Sequence, residues 1–181
     1  MNYPGNRKRQ YKGPKNYANR GKAFETAIRM SNDIYRVRGM GVIHKTDPPI
    51  QIQKIEPPNK VIGFKKDKGL PDFIGMAHGR GIAFEAKKTA ERTSFPLSNI
   101  KPHQMEDLEQ WQQNGGVAFF LIFFEKLQEC YFVKFDQVKD WWDKATDGGR
   151  KSIPYDYFLT ECDLVKAGRG AIFDYLKCIG I

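Results

Sequence analysis

The chain has little of what staples or anchors a protein. Among its 181 residues are three cysteines, Cys130, Cys162 and Cys178, an odd number without CxxC spacing. That argues against a disulfide framework and a zinc site, and makes a reducing cytoplasm the expected home. Long apolar runs are missing too. The longest, Val117 to Phe124, is eight residues, where a membrane-spanning helix needs about 20. The basic N-terminus has no apolar stretch behind it, so no signal peptide is indicated. Acid is absent from residues 1–22, which carry Arg7, Lys8, Arg9, Lys12, Lys15, Arg20 and Lys22. The net charge of +9 falls to +2 once those seven are set aside. The excess charge therefore sits in an N-terminal arm, residues 1–19, also rich in Gly, Pro, Asn and Tyr. Such a segment is expected to be disordered when unbound and to meet a polyanion, nucleic acid before membrane.

A hydrophobic content of 40% with 13% aromatics is that of a globular protein, and residues 20–181 have the length of a single domain. Residues 20–38 read as a helix, with Phe24, Ala27, Ile28, Ser31 and Tyr35 on one stripe and Gly39 as its stop. GVIHK and IQIQKI alternate as strands, broken by Pro48-Pro49. Residues 56–69, EPPNKVIGFKKDKG, suit neither a compact helix nor a strand and are expected to project between strands. Pro102 opens a second helix with Met105, Leu108 and Trp111 buried, and Gly115-Gly116 ends it. A core strand, VAFFLIFF, and its partner, CYFVKF, follow. Asp136 then caps a short helix running through Trp141-Trp142, and the tail beyond GGRKSIP carries no clear pattern. This order predicts an α/β fold, a mixed sheet flanked by helices.

The chemistry lies in GLPDFIGMAHGRGIAFEAKK. Its alternation predicts two short strands joined by a two-residue turn at His78-Gly79. Ala77 then faces Arg80, Gly75 faces Ile82 and Asp72 faces Glu85. Lys87 shares the carboxylates' face, because strand side chains alternate. Facing carboxylates repel, and unpaired ones in a strand with apolar residues on both sides are costly. A hard divalent cation held by both, beside an ammonium, makes a phosphodiester-cutting site. The plain alternative is a solvated ladder of ion pairs, and spacing alone leaves both open.

The pattern PD…EAK resembles the signature of the PD-(D/E)XK nucleases. More narrowly, YANRGKAFE, VIHKTDPPIQI, FEAKKTAERTSFPL, HQ at 103–104 and GRKSI resemble the RecU family of Holliday-junction resolvases. They stand in the family's order, from about residue 17 to residue 153. The resemblance implies a restriction-endonuclease-like core and a Mg²⁺-dependent endonuclease, with Mn²⁺ able to substitute. Its action would be paired nicks in four-way DNA junctions during recombination and repair, leaving 5′-phosphate ends. It also implies a homodimer, and a RecA-type recombinase as a partner. By the same resemblance Asp72 and Glu85 are metal ligands and Lys87 stabilises charge on the scissile phosphate. Gln104 contributes to the metal centre, and Glu25 completes the site. Residues 56–69 become a stalk whose Lys60, Lys65, Lys66 and Lys68 meet DNA, as do Arg7, Lys8, Arg9, Lys12, Lys15 and Arg20 of the arm and first helix.

Plainer readings stand beside these. Gln104 could be an exposed amide of a first helical turn, and Glu25 simply suits the N-terminal half of a helix. His44 reads as structural, and Trp141 and Trp142 as packing residues. One departure from the family matters: Leu70 stands where it has a threonine near the metal, and a leucine side chain cannot coordinate. The chain is also shorter at its C-terminus than cellular members, as a phage-borne version would be. Two rival functions remain, a restriction-type nuclease of the same superfamily and a junction-binding protein whose site has decayed.

Overall fold

A computed structural model describes residues 18–65 and 69–181, and for residues 18–21 and Lys65 the backbone alone. Arg7, Lys8, Arg9, Lys12, Lys15, Lys66 and Lys68 lie outside the described residues, as does the side chain of Arg20. The first helix, α1 (Ala18–Val37), starts inside the stretch assigned to the arm and ends before Gly39, whose φ is +66°. No described helix is long and apolar enough to cross a membrane.

The main sheet is mixed, as expected. Along the chain its strands are β1 (Val42–Lys45), β4 (Phe73–Ala77), β5 (Arg80–Thr89), β7 (Val117–Phe124), β8 (Glu129–Lys134) and β10 (Asp163–Leu164), and they lie side by side in that order. Only β5 and β7 run parallel; every other pair is antiparallel. A parallel pair needs a crossover rather than a tight turn, and α2 (Pro102–Gln113) supplies it.

Alternation along the strands divides the core into two layers. Phe73, Ile82, Phe84 and Phe119 pack against Phe24, Ile28 and Tyr35 of α1. Ala83, Phe120 and Ile122 pack on the other face against Met105 and Leu108 of α2. That layer also takes Val138 of α3 (Phe135–Thr146) and Phe158 of α4 (Tyr155–Glu161). Rings of Phe73, Phe84, Phe119 and Phe132 run across four strands with centroids 4.8, 4.6 and 4.5 Å apart, within the range in which aromatic pairs attract. Trp141 and Trp142 rest half-buried on the α2 layer, as packing residues.

Three expectations need correction. Residues 60–65 are a strand: β2 (Ile50–Glu56) and β3 (Lys60–Lys65) pair into a two-stranded ribbon separate from the main sheet. Ile50, Ile52, Ile55, Val61 and Phe64 all stay exposed on it. The lysines and prolines of this stretch hide an alternation that the partner strand completes. Asp136 does not cap α3; the helix starts at Phe135, and Asp136 in its first turn accepts a hydrogen bond from Gln112 Nε2 at 2.7 Å, tying α3 to α2. The unreadable tail is core: Tyr175 and Leu176 are fully buried in the α1 layer. There the Tyr35 hydroxyl donates to Phe173 O at 2.9 Å and meets Asp174 Oδ1 at 3.1 Å, and Asp174 pairs with Arg169. A short ribbon of β6 (Ser94–Pro96) and β9 (Ser152–Pro154) completes the fold.

Candidate active site

The β4–β5 hairpin has the predicted register, Ala77 opposite Arg80 and Gly75 opposite Ile82, through Phe73 opposite Phe84. Its turn is the expected pair His78-Gly79, both with positive φ, +46° and +76°, as a type I′ turn requires. Asp72 falls just before β4. The expected pair Asp72–Glu85 thus lies one step beyond the last ladder pair, while the Asp72 carbonyl accepts the Thr46 N–H at 2.9 Å, one step beyond the pairing of Lys45 with Phe73. Thr46 Oγ1 also donates to Pro71 O at 2.5 Å, so the end of β1 clamps the Pro71-Asp72 corner. Asp72 Oδ2 in turn accepts the Ala86 N–H at 3.1 Å, which turns the carboxylate across the hairpin toward Glu85.

Glu85 is 1% exposed. Its Oε2 lies 3.0 Å from Lys87 Nζ and accepts from Gln104 Nε2 at 2.5 Å. Gln104 Oε1 accepts from Lys87 Nζ at 2.8 Å and from the Lys101 N–H at 3.0 Å. Gln104 is thus no idle surface amide; it joins the acid and the ammonium into one network. Both lone pairs of its oxygen are taken, however, so in this arrangement it positions Glu85 and Lys87 rather than offering a metal ligand.

Burial pushes the Glu85 carboxyl up to about 8; Lys87 opposes the shift and Asp72 adds to it. One ammonium does not offset two close carboxylates in a buried place. Such a site is short of positive charge and rich in hard oxygen, which fits a divalent cation. Among the described residues no three His, Cys, Asp or Glu side chains cluster as a metal cage. Two carboxylates alone suit an ion that keeps much of its water and takes further ligands from a phosphate.

The cleft around this network measures about 260 Å³ and is lined by Glu25, Lys45, Asp72, Glu85, Lys101 and Gln104, with Thr46, Leu70 and His103 at its sides. Asp72, Glu85, Gln104 and Glu25, named from the sequence, are therefore brought to one place, with Lys87 bonded to Glu85 and Gln104. Glu25 Oε2 pairs with Lys45 Nζ at 3.0 Å. Lys45, Thr46 and Lys101 were not singled out. The run VIHKT holds the first two, but what places them here is the pairing of Lys45 with Phe73, which joins distant segments. His44 is exposed and faces away from the cleft's lining. Lys60 sits on the ribbon, paired with Glu56 at 3.0 Å, and 69% exposed, so water screens that pair strongly.

Comparison with known proteins places nearly the whole of the described fold in one family. The family model for Recombination protein U matches residues 19–180. A Holliday junction resolvase RecU of Geobacillus kaustophilus is 33% identical over 98% of this chain and 92% of that protein. One of Streptococcus pneumoniae is 35% identical over 99% and 94%. Another, of Geobacillus sp. strain WCH70, is 34% identical over 91% and 84%. With a match that spans both core layers and every residue of the cleft, the chain belongs to the Recombination protein U family, RecU.

Proposed function

We propose that this chain is a Mg²⁺-dependent endonuclease that resolves four-way DNA junctions. The observation that carries the reading is the bonded set Asp72, Glu85, Lys87 and Gln104 in a charge-deficient cleft, in a chain whose relatives are named Holliday junction resolvases. Asp72 and Glu85 would hold the cation, which when bound lowers the pKa of water and offsets charge on a phosphate. Lys87 stands beside them with a fixed ammonium, ready for the negative charge that grows on the scissile phosphate. Gln104 keeps that ammonium aimed by holding both it and Glu85. Thr46 and the Ala86 N–H fix the corner that presents Asp72. Glu25 and Lys45 form the opposite wall, where Lys45 offers a second cation to the DNA backbone. The protein acts as a homodimer whose two clefts meet a two-fold junction, and the β2–β3 ribbon is the stalk that enters it.

The test is a labelled mobile four-way junction incubated with the pure protein in Mg²⁺ and in EDTA, with excess linear duplex as competitor. Paired nicks with 5′-phosphate ends, in Mg²⁺ only and undiminished by the duplex, are expected. An uncut junction, or cutting of the linear duplex at a fixed sequence, overturns the proposal.

A further inference from the structure

A second cleft, of about 570 Å³, lies over the β4–β5 hairpin beside α2. It adjoins the cleavage cleft: Leu70, 64% exposed, lines both. The two differ in charge. Lys45, Lys101 and His103 line the cleavage cleft, whereas no Lys, Arg or His is among the described residues lining the second, which include Asp107. A phosphate has no reason to settle there. The lining is instead the side of Trp111, the apolar Leu70 and Pro71, and the amides of Gln110 and Asn114. Glycines supply the rest, so the indole meets backbone. A Cβ at Gly81 would stand 3.2 Å from Trp111 Cζ3, and one at Gly116 3.1 Å from Cε3. Trp111 is half-buried, one part on the core under α2 and the rest toward the cleft.

An indole, two side-chain amides and apolar side chains lining one cleft are chemistry for a nucleobase: the ring can stack and the amides bond to the base edge. We infer that this cleft receives an unpaired base of the strand being cut, with Leu70 and Trp111 as its walls and Gln110 at its edge, and that it sets the sequence at which the chain cleaves. The inference rests on the nuclease reading of the neighbouring cleft. It also accounts for Leu70, which cannot serve a metal but can part bases as an apolar wedge. Gly81 and Glu85 are four residues apart on β5, about 13 Å at strand rise, or about four base steps at 3.4 Å. The base that is read therefore lies within about four steps of the scissile phosphate.

Junctions carrying 2-aminopurine at each of those steps, bound by the protein in EDTA, test the subsite without cleavage. One position should change its fluorescence on binding. Trp111→Ala should abolish that response and weaken binding of a junction with an unpaired base there about tenfold. On a mobile junction in Mg²⁺, Leu70→Ala and Gln110→Ala should broaden the distribution of cut sites. Both are exposed, so they decide the matter if Trp111→Ala proves misfolded by circular dichroism. Variants whose 2-aminopurine response and cut sites match the wild type overturn the subsite. A wild type that leaves junctions uncut, yet shows a 2-aminopurine response lost in Trp111→Ala, keeps the subsite and overturns the nuclease reading instead.

Discussion

Replacing Glu85 with glutamine keeps the buried side chain's size but removes the charge toward which Lys87 and Gln104 are turned. Glu85→Gln, Asp72→Asn and Lys87→Ala should each slow cleavage by about 10²-fold or more. Junction binding in EDTA should hold within about twofold, because in the proposed function these groups serve the transition state. Single-turnover cleavage and gel shifts separate the two, and brisk cutting by Asp72→Asn in Mg²⁺ would remove it from the metal site. Gln104→Ala deletes the link between acid and ammonium and should lower the rate about 10- to 100-fold, the usual effect of losing a group that orients a ligand. Asp174 belongs to stability instead. Burial opposes its ionisation, but the Arg169 guanidinium and Tyr35 hydroxyl outweigh burial and hold the carboxyl below its ordinary range. A carboxylate depressed in the fold stabilises above its unfolded pKa, about 3.9, and loses that contribution as pH falls through the folded value. Asp174→Asn should cost about 1–3 kcal/mol at neutral pH, the lower end reflecting Arg169's access to water. Its urea-melt stability should also fall less than the wild type's on acidification; superimposable pH profiles would contradict this.

Among the elements, β1 and β4 meet unusually closely. A Cβ on Gly75 would stand 2.2 Å from Val42 O and 2.6 Å from Ile43 Cα. Gly75→Ala should therefore destabilise by about 1–3 kcal/mol. By prising β1 from β4 it should also move Lys45 and Thr46 off the Asp72 corner, so activity should drop even where the protein remains folded. The ribbon is the opposite case. Replacing residues 50–65 with a short Gly-Ser link removes, among the described side chains, only exposed ones and the half-buried Glu56. The melting temperature should shift by no more than a few degrees, while preference for junctions over linear duplex falls; unchanged preference would deny the ribbon its role. The same contrast explains what could be read beforehand. The β4–β5 hairpin was legible from its turn as far as Phe73 opposite Phe84, though not to the expected Asp72–Glu85 pair, because its register follows from the turn chemistry of His78-Gly79 and from local alternation. The Glu25–Lys45 wall was not, since it depends on β1 choosing β4 across the intervening ribbon. Strand β3 was hidden for a related reason: Lys60, Gly63 and Lys65 dilute its alternation, and only pairing with β2 makes it a strand.

At the scale of the molecule, charge and catalysis occupy different parts of the chain. Removing residues 1–16 takes away Arg7, Lys8, Arg9, Lys12 and Lys15. Binding should weaken on every DNA shape, and the slope of log affinity against log salt should shrink by about 0.9 for each phosphate that the arm had neutralised. Titrations at several salt concentrations measure both; an unaltered slope would make the arm irrelevant to DNA.

The burial of Tyr175 and Leu176 beneath α1 has a consequence in time. Every residue assigned to the cleft has been synthesised once residue 104 is made, yet α1, which carries Glu25, lacks part of its packing, the contacts to residues 173–176, until these follow. At 5–20 residues per second, those 72 further residues take about 4–14 s. During that interval a nascent chain holds every residue of the proposed site but not the tail that completes the packing of α1. The nuclease thus comes into being as a late event of its own synthesis, when the tail closes over the first helix.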